Sequence, residues 1–95
     1  MLFEYDDKKS EQNGKKHGIH FEEAQALWED ARRLVTPARP TNELRYRVVG
    51  RIAGTHWTAI VTYRADTIRI ISVRSSRKEE KEAYEKKADA HSTRT

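Results

Sequence analysis

Lys15-Lys16-His17-Gly18 lies just before Phe21-Glu22-Glu23-Ala24, and seven arginines stand between positions 45 and 77. An unperturbed imidazole titrates near neutral pH, so His17 is a natural candidate to accept or release a proton in a reaction. Lys16 beside it can stabilise developing negative charge. Arginine presents a planar fork of donors that matches phosphate oxygens in pairs, which lysine does not. These residue types together offer proton transfer next to a phosphate-bearing reactant. The plainer role for His17 is to close a helix by donating to its last carbonyls.

The remaining histidines carry less. His20 stands at a helix start, His56 at a turn or strand end and His91 near the C-terminus. Their spacing fits no metal-binding pattern, and without cysteine there is neither a thiolate ligand nor a disulfide. No metal or cofactor is expected. No glycine-rich phosphate loop or Gly-x-Ser-x-Gly elbow occurs.

The elements that must position these groups follow from pattern. Leu2, Phe3 and Tyr5 suit a short strand or a packed arm. Asp6 or Asp7 can cap a helix reaching about Lys16, and Gly18 suits the left-handed residue that closes it. Phe21, Ala24, Leu27 and Trp28 recur at helical spacing, with Glu23 where a capping box needs its carboxylate. Pro37 and Pro40, with Thr36, Thr41 and Asn42, mark a break. Three strands follow: Leu44 to Ile52, a turn at Ala53-Gly54-Thr55, His56 to Arg64, a turn at Ala65-Asp66-Thr67, then Ile68 to Arg74. Ser75 or Ser76 can cap a last helix ending near Ala88, in which Glu79, Glu80 and Glu82 read as a solvated face. The prediction is an α+β domain over residues 1–88: short helices first, an antiparallel meander of three to four strands, then a closing helix. Residues 89–95 are expected to form a flexible tail.

Charge is distributed unevenly. Residues 1–30 hold four lysines against eight carboxylates, whereas residues 45–77 hold seven arginines against Asp66 alone. The second window points to a polyanionic partner such as nucleic acid, although arginine also solubilises alternate strand positions. In a meander Arg64, ending the second strand, can meet Arg69 or Arg45; the ends of the first and third strands fall on opposite edges unless registers shift, so the sequence does not place Arg74 with them. No apolar run approaches the ~20 residues of a membrane span, and the N-terminus lacks the pattern of a secretory signal. A cytoplasmic location is the default expectation, with no membrane partner.

In order and separation, these pieces resemble the BrnT family of bacterial ribonuclease toxins across roughly Phe3 to Glu85. The resemblance runs from Phe3-Glu4-Tyr5-Asp6 through Asn13, Lys16-His17-Gly18, Phe21-Glu22-Glu23-Ala24 and Asp30. It continues with Arg45 five residues before Gly50, then Thr62-Tyr63-Arg64, Ile68-Arg69-Ile70-Ile71-Ser72-Val73-Arg74, Arg77-Lys78-Glu79 and Tyr84-Glu85. It implies a RelE-like fold and metal-independent endoribonuclease activity on RNA that arrests translation. It also implies a BrnA-like ribbon-helix-helix antitoxin, whose complex with the toxin binds operator DNA. Carried over residue by residue, Lys16, His17, Arg45 and Arg64 become the catalytic candidates, and Arg69 and Arg74 the phosphate-binding ones. Three positions depart from the pattern: Leu44 replaces a glutamate, His20 a small hydroxyl, and Asp30-Ala31 an Asp-Pro pair. A second reading therefore stays open, a non-catalytic module that binds an antitoxin or nucleic acid through the same basic sheet.

Overall fold

Asp6 starts the first helix: its carboxylate accepts from the amides of Lys8 at 2.9 Å and Lys9 at 3.1 Å. Helix α1 (Asp7–His17) ends at Gly18, whose φ of +80° suits glycine and whose amide donates to the Gly14 carbonyl. The computed structural model describes residues 1–38 and 43–92; Pro40, Thr41 and Asn42 of the expected break lie outside this set, as do 93–95 of the expected tail.

Helix α2 (Phe21–Ala24) is one turn long and runs on as a 3-10 segment, Gln25–Glu29. Its start is held by Glu23, which accepts from the His20 amide at 2.9 Å, so the expected reciprocal contact forms although His20 replaces a hydroxyl residue. The expected apolar stripe is buried: Phe21, Ala24 and Leu27 are at most 1% exposed. Truncating such a side chain costs about 2–5 kcal/mol.

Five strands form one mixed sheet: β1 (Leu2–Glu4), β2 (Leu34–Pro37), β3 (Tyr46–Ile52), β4 (Thr55–Arg64) and β5 (Thr67–Ser75). Their order is β1-β5-β4-β3-β2, with β1 parallel to β5 and every other pair antiparallel. The meander was expected; β2 was not, because Pro37 reads as a breaker. Its position explains the tolerance. Ala38 donates to the Arg45 carbonyl at 2.8 Å, so by alternation Pro37 faces outward from the sheet edge, where no amide is needed.

The two faces of the sheet differ. Val48, Ala59, Val61, Ile68, Ile70 and Val73 point to the face covered by α1, α2 and the 3-10 segment, where they build the main core with Ile19. The alternate residues, including Arg47, Arg69 and Arg74, point to the other face. There α3 (Lys78–Ser92) covers the end near Val49 through a small cluster of Val49, Tyr84 and Ala88, with Leu34 beside it. Helix α3 starts after Arg77 rather than at Ser75 or Ser76, and it runs four residues past the expected end. Ser76 instead bonds Thr58 between hydroxyls at 2.8 Å.

Candidate nucleic-acid interface

Register decides which arginines meet. On the face opposite the main core, Thr62 pairs with Arg69, Ile60 with Ser72, and Thr58 with Arg74. On the far side of β4, Arg47 pairs with Ile60 and Val49 with Thr58. By alternation Arg45, Arg64 and Arg69 therefore stand on the half of this face away from α3, Arg74 lies in the covered half, and Arg47 lies at the boundary, where it lines a cavity with Glu79, Glu80 and Ala83 of α3.

The arginines of the open half are loosely held. Arg64 lies 3.8 Å from Glu43, with more than half of its side chain exposed, a pair worth little in water. Arg69 donates to Glu4 at 3.0 Å across the β1–β5 boundary. Arg47 has no hydrogen-bond or ion-pair partner among the described residues. The Arg45 Nε is buried and likewise unpartnered, which is costly for a buried donor unless something outside the chain accepts from it. Below these side chains, buried Thr62 donates to the Leu44 carbonyl at 2.8 Å and fixes the approach to β3.

Arg74 is different. Its guanidinium makes two parallel bonds to Glu80, at 2.8 and 2.9 Å. Glu80 also accepts from the Arg77 amide at 2.7 Å and from Thr58 at 3.1 Å. The Arg74 guanidinium and these further donors hold the Glu80 carboxyl down to about 2 despite burial, and the same pairing raises Arg74. Glu80 was expected on a solvated face; its side chain is only 10% exposed, because Arg74 and Thr58 draw it inward.

Lys16 and His17 occupy the last turn of α1 at the edge of β5. With Lys9, Gln12, Ile71 and Ser72 they line a shallow groove of about 270 Å³. The His17 ring makes no hydrogen bond among the described residues, and the Gly18 amide closes the helix instead. The groove and the arginine cluster are not one point. Arg45 and Arg47 stand two strands from β5, about 10 Å at sheet spacing, and on the face opposite the one that α1 covers, so the structure does not bring them and His17 to one point. Arg47 is in register, through Ile60, with Ser72 of the groove. Sequence reasoning did not single it out, and its outward position in the Tyr46–Ile52 alternation was the available signal.

A second polar cluster also escaped notice. Asp30 accepts from the Tyr84 hydroxyl at 2.7 Å and from the amides of Arg51 and Arg32, each at 2.9 Å. Burial opposes its charged form, but these donors together bring its carboxyl below the ordinary range. Tyr84 is pushed up to about 12 by burial and by that carboxylate. His56 contacts Glu85 at 2.8 Å and packs edge-on against Tyr84. These contacts, with Lys87 donating to the Arg33 carbonyl at 2.7 Å, fasten α3 to the rest of the chain. No group of three His, Asp or Glu residues converges as metal ligands would among the described residues.

Two comparisons bear on this geometry. A family model described as the ribonuclease toxin BrnT of type II toxin–antitoxin systems matches residues 5–80, from the approach to α1 through Glu80. No curated protein matches the chain.

Proposed function

We propose, because this chain belongs to the BrnT family of ribonuclease toxins of type II toxin–antitoxin systems, that it cleaves RNA without a metal ion across the open half of its sheet. The observation that carries this reading is the buried Arg45 Nε, unpartnered among the described residues, with Arg64 and Arg69 on the part of the face that α3 leaves bare. Fixed guanidinium groups there stabilise charge on the phosphoryl oxygens as it builds up. The ribose 2′-hydroxyl attacks the adjacent phosphorus and gives up its proton, the bond to the 5′-oxygen breaks, and that oxygen takes a proton. The products are a 2′,3′-cyclic phosphate and a free 5′-hydroxyl. His17 and Lys16, at the β5 edge on the side that α1 covers, supply the proton transfer and further positive charge, the bound strand passing round that edge from the arginines. Arg69 holds a neighbouring phosphate, while Arg74 holds α3.

The same premise leads to the cellular role. Cleavage arrests translation in the cytoplasm, and a BrnA-like ribbon-helix-helix antitoxin neutralises the toxin and carries it to operator DNA. No helix among the described residues is long and apolar enough to cross a membrane.

Purified protein with single-stranded RNA and excess chelator tests the proposal. Wild type is expected to cut, with cyclic phosphate ends, while His17→Ala and Arg45→Ala cut on the order of 100-fold more slowly. Intact RNA with wild type, still bound and released steeply by salt, would leave a non-catalytic binding module.

A further inference from the structure

We infer that Asn13 is the positioning residue that sets the Lys16–His17 turn against the sheet, an inference that rests on the reading of that turn as part of the RNA site. Strand β1 pairs with β5 only from Thr67 to Arg69, so beyond that point the outer edge of β5 has no neighbouring strand. Asn13 takes the strand's place. The Val73 amide donates to its Oδ1 at 3.2 Å, and its Nδ2 donates to the Val73 carbonyl at 2.9 Å. Nδ2 also donates to the Ile19 carbonyl at 2.8 Å, on the far side of the Gly18 turn. One buried amide, 7% exposed, thus ties the helix end, the turn after it and the β5 edge together.

Helical spacing makes the tie specific. Lys16 and His17 follow Asn13 by three and four residues, so they sit one turn along the same side of α1. They line the groove with Ile71 and Ser72, immediately before Val73 on β5. Aspartate at position 13 could keep the bond from the Val73 amide, but it has no donor for either carbonyl. Alanine would leave both polar groups of Val73 without their partner. Asparagine supplies the acceptor and donors in the arrangement found here.

Ser10 provides an internal control. It is equally buried, and its hydroxyl accepts from the Phe21 amide at 2.9 Å, tying α1 to α2 with no hydrogen bond to the sheet among the described residues. Removing it loosens the helix packing but leaves the β5 edge bonded.

The test compares Asn13→Ala, Asn13→Asp and Ser10→Ala with wild type in two measurements. One is NMR contact between the last turn of α1 and β5, read at Lys16, His17, Ile71 and Ser72, which line one groove. The other is single-turnover cleavage and affinity with a single-stranded RNA. Both Asn13 variants are expected to lose the contact and to cut on the order of 10- to 100-fold more slowly at saturating RNA, with affinity changed by less than about threefold. Ser10→Ala is expected to keep the contact and the rate. If an Asn13 variant keeps the contact, or slows no more than Ser10→Ala at equal folded fraction, the positioning role is wrong. If wild type does not cut RNA, the proposed activity fails, and the NMR contact still decides the inference. Should Asn13→Ala not fold, Asn13→Asp decides, since only it can retain the bond from the Val73 amide.

Discussion

Arg69 and Arg74 belong to the same strand and the same face, yet they live in different surroundings. Arg74 lies under α3 with both arms on Glu80, and its carboxylate partner is further bonded by Thr58 and the Arg77 amide. Arg69 lies beyond the helix with one bond to a partly exposed Glu4, and on the same half the Arg45 Nε has no partner among the described residues. The covered half satisfies the charge of its arginine internally. On the proposed reading the open half keeps its arginines for phosphate. Residue type alone does not assign the role; the helix lying over one half and absent from the other does.

The largest expected effect breaks the covered half. Glu80→Ala strands a partly buried guanidinium and removes the acceptor for Thr58 and the Arg77 amide. It should cost roughly 2–4 kcal/mol in urea unfolding. Arg64→Ala, by contrast, should stay within about 0.5 kcal/mol, because its one ion pair is long and exposed. Equal costs would erase the distinction between the halves.

Cleavage should reverse that ranking. Arg45→Ala and Arg64→Ala are each expected to slow RNA cleavage on the order of 10- to 100-fold while remaining folded. Glu80→Gln should lower activity only in proportion to its unfolded fraction. A cleavage defect in folded Glu80→Gln protein as deep as that of Arg45→Ala would show that the covered half also takes part.

Acid unfolding sharpens the comparison further. The folded-state pKa of Glu80 is depressed to about 2, so its contribution is fully present above the ordinary glutamate range and is lost as pH falls from there towards 2. Wild type should therefore lose stability more steeply than Glu80→Gln over that window, whereas Glu43→Gln, beside exposed Arg64, should leave the profile almost unchanged. Parallel acid profiles for wild type and Glu80→Gln would contradict the assignment. The smallest effect is Tyr84→Phe, which should cost about 1–2 kcal/mol at neutral pH through the lost bond to Asp30. In wild type, the Tyr84 contribution should persist below pH 10 and disappear as pH rises through about 12.

Local signals exposed much of this fold. Asp6 and Gly18 bracket α1, the positive φ angles at Ala53 and Gly54 sit where the first hairpin turn was expected, and alternation marked the three meander strands. The spacing of Phe21, Ala24 and Leu27 marked the helix that covers the core. Strand β2 stayed hidden because an outward-facing proline and a breaking proline look alike without a neighbouring strand. Glu80 stayed hidden because it stands in a run of glutamates and lysines, and only the register of β5 and the placing of α3 turn it inward. The separation of Arg74 from Arg45, Arg64 and Arg69 was partly legible from meander geometry. That Arg47 lies at the boundary depends on where α3 settles on the sheet, a nonlocal feature.

The salt dependence of RNA affinity tests the central claim most directly, because it reads phosphate contacts without requiring chemistry. For single-stranded RNA each lost contact lowers the slope of log affinity against log salt by about 0.7. The account predicts that decrease for Arg45→Ala, Arg64→Ala and Arg69→Ala, and an unchanged slope for folded Arg74→Gln. A shallower slope for Arg74→Gln, with unchanged slopes for the other three, would place RNA on the wrong half of the sheet and contradict the account.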